Sequence, residues 1–272
     1  MVPMPHQRFK SSHNKRGILT NMPNRFYVSS ELKPGEVVLQ GAEAHHLATV
    51  HRLGGGDQVC LFNGDGKEYS GTVIEASRRR AVVKITGHET PPRELPYAVV
   101  IAAPLPKRGR AQFLIEKLTE IGVTRYIPLY TRRTVVHAGR GKAEKLHRYV
   151  IEASKQCGRN VLMEIADASD WMTFCSSPDL PSARFLAHPH GGDSSQIMAR
   201  CPYLAPGVAL AVGPEGGFTD EELGSATANK WHIVSLGPRI LRIETAALVL
   251  AIRSVYSGLG SLPVLSSVTT GN

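Results

Sequence analysis

Near the C-terminus two apolar runs end in a glycine-proline turn, first in VALAVGPEGGFTDEEL and again in HIVSLGPRILRIETAAL. The chemistry open to such turns is ligand binding by main chain. In an open α/β sheet ligands sit beyond the carboxyl ends of the strands, and glycines such as Gly213, Gly216 and Gly217 let backbone amides approach them closely. GPEGGF is not a P-loop, since no Gly-Lys-Ser/Thr follows, and it lacks the GxGxxG spacing of a dinucleotide site. A single loop of this kind reads better as a cap on a strand. Its repetition, Gly213-Pro214 and then Gly237-Pro238, points to two strands ending side by side at one site.

The elements that must hold these loops are legible around them. Thr219 with Glu222 three residues later forms a capping box, so a helix begins where GPEGGF ends. Strand-like and helical runs alternate through YAVVIAAPL, RAQFLIEKLTEIG, YIPLYT, KAEKLHRYVIEASKQCG, RFLAHP, SSQIMAR, VALAVG, TDEELGSATANK, HIVSL and ETAALVLAIRSVYSG. That rhythm predicts an α/β domain with a mainly parallel sheet, and Gly122 and Gly158 stand where helix C-caps belong. Upstream, RFYV, EVVLQ, DQVCLFN, KEYSGTVIEA and RAVVKITGH read as five short strands with close turns, interrupted by one helix over AEAHHLATVHRL; together they predict a small β-barrel. The proline-rich stretch before YAVVIAAPL has no periodicity and reads as a linker. The expected division is a basic flexible tail over 1–24, the barrel over 25–90, a linker over 91–96, the α/β domain over 97–262 and a flexible tail over 263–272.

Charge says what the surface meets. Lys plus Arg number 32 against 23 Asp plus Glu, a net charge of +9. A merely soluble basic protein fits that balance, and so does a partner that is a polyanion such as nucleic acid. The barrel edge carries His45, His46, His51, Arg52 and the run Arg78-Arg79-Arg80, which read as a solvated turn or an RNA-contact surface. The four cysteines form no CxxC pair, which suggests neither a zinc site nor a disulfide framework, and no metal is expected. No apolar run approaches the roughly 20 residues of a membrane span, and the basic N-terminal segment lacks the apolar core of a secretory signal. A cytoplasmic protein is expected. An organelle transit peptide is a second reading of the tail, with Met22 an alternative start.

GPEGGF and LGPRILR in combination, with HHLATVHRL, FNGDGKEYSGTV, KRGRAQFLIEKLTEIGV and IEASKQCGRN, resemble the RsmE family of the SPOUT superfamily of RNA methyltransferases, from RFYV to the last helix. The resemblance implies a PUA-like RNA-binding β-barrel, a C-terminal SPOUT domain with a trefoil knot, a homodimer, and S-adenosylmethionine-dependent methylation at N3 of a uridine in small-subunit (16S) ribosomal RNA, naked or in the assembled subunit. A methyltransferase for another RNA and a non-catalytic RNA-binding protein are the alternatives. It also implies the site. Arg159 and Arg242 would hold the uridine or neighbouring phosphates, with Gln156 beside them and Glu244 as proton acceptor or loop orienter; a salt bridge of Glu244 with Arg239 that fixes the loop is an equal reading. The cofactor pocket would take Leu186, Ala187 and His188, then Gly213, Glu215, Gly216 and Gly217, then Ser235, Leu236, Pro238, Ile240 and Leu241. His188 reads as a wall residue and Glu215 as a loop brace. RNA contacts are expected from Arg25, Arg52, Arg78, Arg79, Arg80, Arg132 and Arg133. Two positions depart from the family pattern: Ile243 stands where the family reads Thr, and Arg132 where it reads Glu.

Overall fold

The computed structural model describes residues 24–107, 109–134, 142–194 and 206–259. The N-terminal and C-terminal tails (residue 24 apart), and all of the helix expected over SSQIMAR except Ser194, lie outside these residues. The first unit is a five-stranded sheet of β1 (Arg25–Tyr27), β2 (Gly35–Gln40), β3 (Gln58–Phe62), β4 (Glu68–Ala76) and β5 (Arg80–Glu89), in the order β1-β3-β4-β5-β2. Its apolar positions, Phe26, Leu39, Val59, Leu61, Val73 and Val83 among them, form one core. Among the described residues no ladder joins β1 to β2, so the barrel is partly open. The helix expected over AEAHHLATVHRL is shorter than its pattern. It runs as α1 (Gly41–His45), widens into a π-helical turn (His46–Val50) that buries Leu47, and stops at Arg52, whose φ is 56°.

The second unit is a parallel sheet in the order β12-β10-β11-β6-β7-β8, with β9 also paired to β7. Its strands are β6 (Ala98–Ala103), β7 (Arg125–Tyr130), β8 (Glu164–Ile165), β9 (Ser169–Asp170), β10 (Ala183–Asp193), β11 (Gly207–Val212) and β12 (His232–Ser235). The helices are α2 (Arg110–Ile121), α3 (Lys142–Cys157), α4 (Trp171–Ser176), α5 (Asp220–Ala228) and α6 (Ile243–Leu259). Alternation along β6 and β11 sorts their side chains into two cores. Val99, Ile101, Val208, Leu210 and Val212 pack with α2, α3 and α6, while Val100, Ala102, Ala209 and Ala211 join Trp171, Phe174, Phe218 and Trp231 on the other face. Burial on both faces is why these strands read as unbroken apolar runs rather than alternating ones. β8, β9 and α4 have no counterpart in the sequence pattern; the two strands are two residues long and α4 is six.

A polar network joins the two units. Arg25 reaches from β1 to Glu68 (2.6 Å), to the carbonyl of Arg159 (3.2 Å) and to the Asn160 side chain. Arg93 donates to Glu68 and to the carbonyl of Gly158. Arg159 itself grips Glu94 (2.7 Å) and the carbonyls of Thr119 and Val123, both at 2.9 Å. Farther along α3, Lys155 pairs with Glu43 of α1. Residues 91–96 therefore lie in a braced seam, with Arg93 and Glu94 both in ion pairs, rather than acting as a slack tether.

Candidate active site

The two Gly-Pro turns meet at the carboxyl ends of β10, β11 and β12, where they wall a cavity of about 390 Å³. From the expected set, Ala187, His188, Gly213, Glu215, Gly216, Gly217, Leu236, Ile240, Leu241 and Arg242 line it. Gly237 and Gly217 have φ of 123° and 69°, a backbone that side chains rarely adopt. A Cβ at either would meet nothing within 4 Å, so both main-chain segments face open space that a ligand can approach. Gly213 serves packing instead. A Cβ there would stand 2.9 Å from the Phe218 ring, which is seated on Trp171.

The capping box predicted at Thr219 is present and holds the first loop to its helix. Thr219 N–H donates to Glu222 at 2.7 Å and Glu222 N–H donates back to the threonine hydroxyl. Buried Glu222 also accepts the main-chain N–H of Arg132 (2.9 Å), which docks residues 131–134 onto the loop. The second loop is tied more lightly, by the Gly237 N–H donating to Ser235 Oγ.

The third wall comes from β10, which is longer than RFLAHP implied. Ala187 and Gly192 both pair with Val234, so residues 188–191 bulge out of the strand and set His188, Pro189 and His190 against the cavity. Gly191 makes this close return possible, since a Cβ there would lie 2.4 Å from the Val234 backbone. Burial, helped by the neighbouring His190, pushes the His188 imidazole below its ordinary pKa against an opposing pull from Asp220. Nδ1 of His188 accepts the His190 main-chain N–H, and the ring stands on the cavity wall.

Several expected residues are elsewhere. Arg159 is 3% exposed and spends its donors on Glu94 and two carbonyls, so it cannot reach a nucleotide. Arg25 is buried at 7% in the seam between the two units, not on an RNA surface. Gln156 is exposed on α3 and does not line the cavity. Glu244 is buried at the start of α6, where Arg110 reaches its Oε1 at 3.4 Å; this makes it a helix-start brace paired with Arg110 rather than with Arg239. Leu186 lies in the core, and Ser235 and exposed Pro238 do not line the cavity. Arg52, Arg78, Arg79 and Arg80 are exposed, with Arg80 paired to Glu75, and Arg132 is exposed and paired to Glu221. Ile243 packs into the main core at 5% exposure, which accounts for an apolar residue at that departure.

Three titratable residues of the lining fall outside the expected cavity set. Arg133, expected on the RNA surface, lines the cavity and donates to the carbonyls of Gly216 (2.8 Å) and Phe218 (3.3 Å). Arg239 and His190 line it too. The signal for Arg239 was its place in LGPRILR; nothing local marked Arg133, whose partners lie more than 80 positions away. Among the described residues no group of three or more His, Cys, Asp and Glu is placed to hold a metal.

The chain matches two family models, an RNA methyltransferase domain over residues 93–254 and an RNA methyltransferase PUA domain over residues 39–86. It is 34% identical to the ribosomal RNA small subunit methyltransferase E of Synechocystis, over 78% of this chain and 70% of that one. To the protein of the same name in Bacillus subtilis it is 31% identical, over 77% and 86%. Among solved structures, it is similar to a methyltransferase from Legionella pneumophila in complex with S-adenosylmethionine, with a TM-score of 0.78, 30% identity and coverage of 88% and 97%. A ribosomal RNA small subunit methyltransferase E from Neisseria gonorrhoeae, bound to S-adenosylmethionine, gives a TM-score of 0.77 at 25% identity over 88% and 97%.

Proposed function

Because this chain belongs to the family of the ribosomal RNA small subunit methyltransferases E, we propose that it transfers a methyl group from S-adenosylmethionine to N3 of a uridine in small-subunit (16S) ribosomal RNA. The observation that carries the proposal is the cavity at the strand ends, walled by both glycine loops and rimmed by Arg133, Arg239 and Arg242. Its donor set fits the cofactor. Open main chain at Gly217 and Gly237 and apolar Val212, Leu236 and Leu241 suit an adenosine, and charged groups at the mouth suit an amino-acid end. When bound, S-adenosylmethionine supplies a methyl carbon on a sulfonium, open to attack by a nitrogen.

The residues of this chain must make uridine N3 a nucleophile. N3 carries a proton at neutral pH, so that proton has to leave to solvent before or as the nitrogen attacks. Arg242 is exposed at the cavity rim, where a guanidinium beside O2 or O4 stabilises the developing anion. The barrel, with Arg52 and the Arg78-Arg79-Arg80 turn exposed, supplies RNA affinity. The proposal extends to a trefoil knot in the α/β domain, a homodimer and a cytoplasmic location; no helix among the described residues is long and apolar enough to cross a membrane.

Nucleoside mass spectrometry on ribosomal RNA, small-subunit particles and transfer RNA incubated with the protein and S-adenosylmethionine tests the reading. The expected product is 3-methyluridine in small-subunit RNA alone. Product in transfer RNA, or a methylated ribose, would assign another substrate, and no product despite tight RNA binding would leave a binding protein.

A further inference from the structure

Resting on the reading that the cavity takes S-adenosylmethionine, we propose that Arg133 binds the carboxylate of the cofactor's methionyl end. Three arginines line the cavity, but they differ in how they are held. All three are exposed, but the side chains of Arg239 and Arg242, on the second Gly-Pro loop, make no hydrogen bond or ion pair among the described residues. Arg133 is anchored: one terminal nitrogen donates to the Gly216 and Phe218 carbonyls, and the stem lies 3.3 Å from where a Gly216 Cβ would be. Those bonds use one nitrogen of the guanidinium. The other terminal nitrogen and Nε take no partner among the described residues, so a rigid fork with unspent donors stands at the cavity wall. A planar fork already fixed in place is the geometry that takes a carboxylate by two parallel bonds, with little ordering left to do on binding. Glu215, also on the wall, offers the opposite charge for the neighbouring ammonium. A zwitterion at this mouth and the adenosine against the apolar walls satisfies both ends of the ligand.

Two probes separate this role from simple bracing of the loop. S-adenosylhomocysteine carries the amino-acid end, whereas 5′-methylthioadenosine has the same nucleoside without it. Calorimetric titration of the full chain and of two variants, Arg133→Ala and Arg133→Gln, reads both affinities. Glutamine keeps an amide donor on a shorter stem but carries no charge. The expected result is a loss of about tenfold or more for S-adenosylhomocysteine in both variants, with 5′-methylthioadenosine within about twofold of wild type. Parallel loss of both ligands would mean that Arg133 only braces the loop, and unchanged affinity for both would mean that the carboxylate is held elsewhere; either overturns the assignment. If the wild-type chain bound neither compound, the cofactor reading itself would fall, and this assignment with it.

Discussion

Arginines of the same charge have been given different work by their neighbours. Arg242 faces the cavity from an exposed loop, while Arg159 is locked between a carboxylate and two carbonyls. Arg242→Ala should therefore bind S-adenosylmethionine nearly as wild type does, yet lose roughly 10²–10³-fold in single-turnover rate, the scale for deleting one preorganised electrostatic contact. Part of that rate should return at higher pH, where more uridine is already ionised. A weakened cofactor affinity with a wild-type pH profile would reduce Arg242 to a loop brace. Gly216 makes a second test at this scale. A side chain there meets the Arg133 stem at 3.3 Å before it meets any ligand, so Gly216→Val should act by pushing Arg133 aside. Lower cofactor affinity in a folded variant is expected, and it should be additive with Arg133→Ala by much less than the sum of the two, since both remove one contact.

At the scale of elements, the helix start after GPEGGF holds more than its own first turn. Thr219→Ala removes one cap and should cost about 1 kcal/mol in denaturant unfolding. Glu222→Ala should cost more, about 2–4 kcal/mol, because the Glu222 carboxylate accepts both the Thr219 and the Arg132 main-chain N–H, and part-buried donors left unpaired are expensive. Equal losses in the two variants would show that the link from Glu222 to the 131–134 loop adds nothing. The bulge in β10 is the comparable device on the opposite wall: Gly191 lets the strand close on Val234 again after His188, Pro189 and His190 have been turned to the cavity.

The whole molecule is held as one piece by the seam between its two units. Burial pushes the Glu68 carboxyl up, but hydrogen bonds from Arg93 and Arg25 outweigh that and hold it below its ordinary value of 4.5. A carboxyl depressed on folding stabilises the fold above that ordinary value and loses its contribution as the pH falls below about 4.5 toward the folded value. Thermal melting between pH 7 and pH 3 should thus steepen below about pH 4.5, and Glu68→Gln should flatten that limb; an unchanged slope would remove Glu68 from the acid response. On the proposed function, the seam would also set the angle at which the barrel presents RNA to the cavity. Lys155→Glu breaks the pair with Glu43 and should raise the KM for RNA while leaving cofactor affinity alone, with Glu43→Lys restoring it in the double variant. A KM untouched by either change would mean that the two units need no fixed angle.

What the sequence alone determined was whatever a few neighbouring residues dictate. The five strands of the barrel, the Thr219–Glu222 box, the C-cap at Gly122 with its φ of 99° and the two Gly-Pro loops are local patterns of backbone conformation and period, and they stand where they were expected. The family motifs led equally to GPEGGF and to IEASKQCGRN, but a motif does not say what its side chains touch. Only the tertiary structure decided that Arg159 braces a seam and that Arg133 holds the GPEGGF turn. The Arg25 partner at Arg159 is 134 positions away and the Arg133 partner at Gly216 is 83 away. A charged side chain takes its role from the carboxylate, carbonyl or open water that folding puts beside it, and no short stretch of chain contains that neighbour.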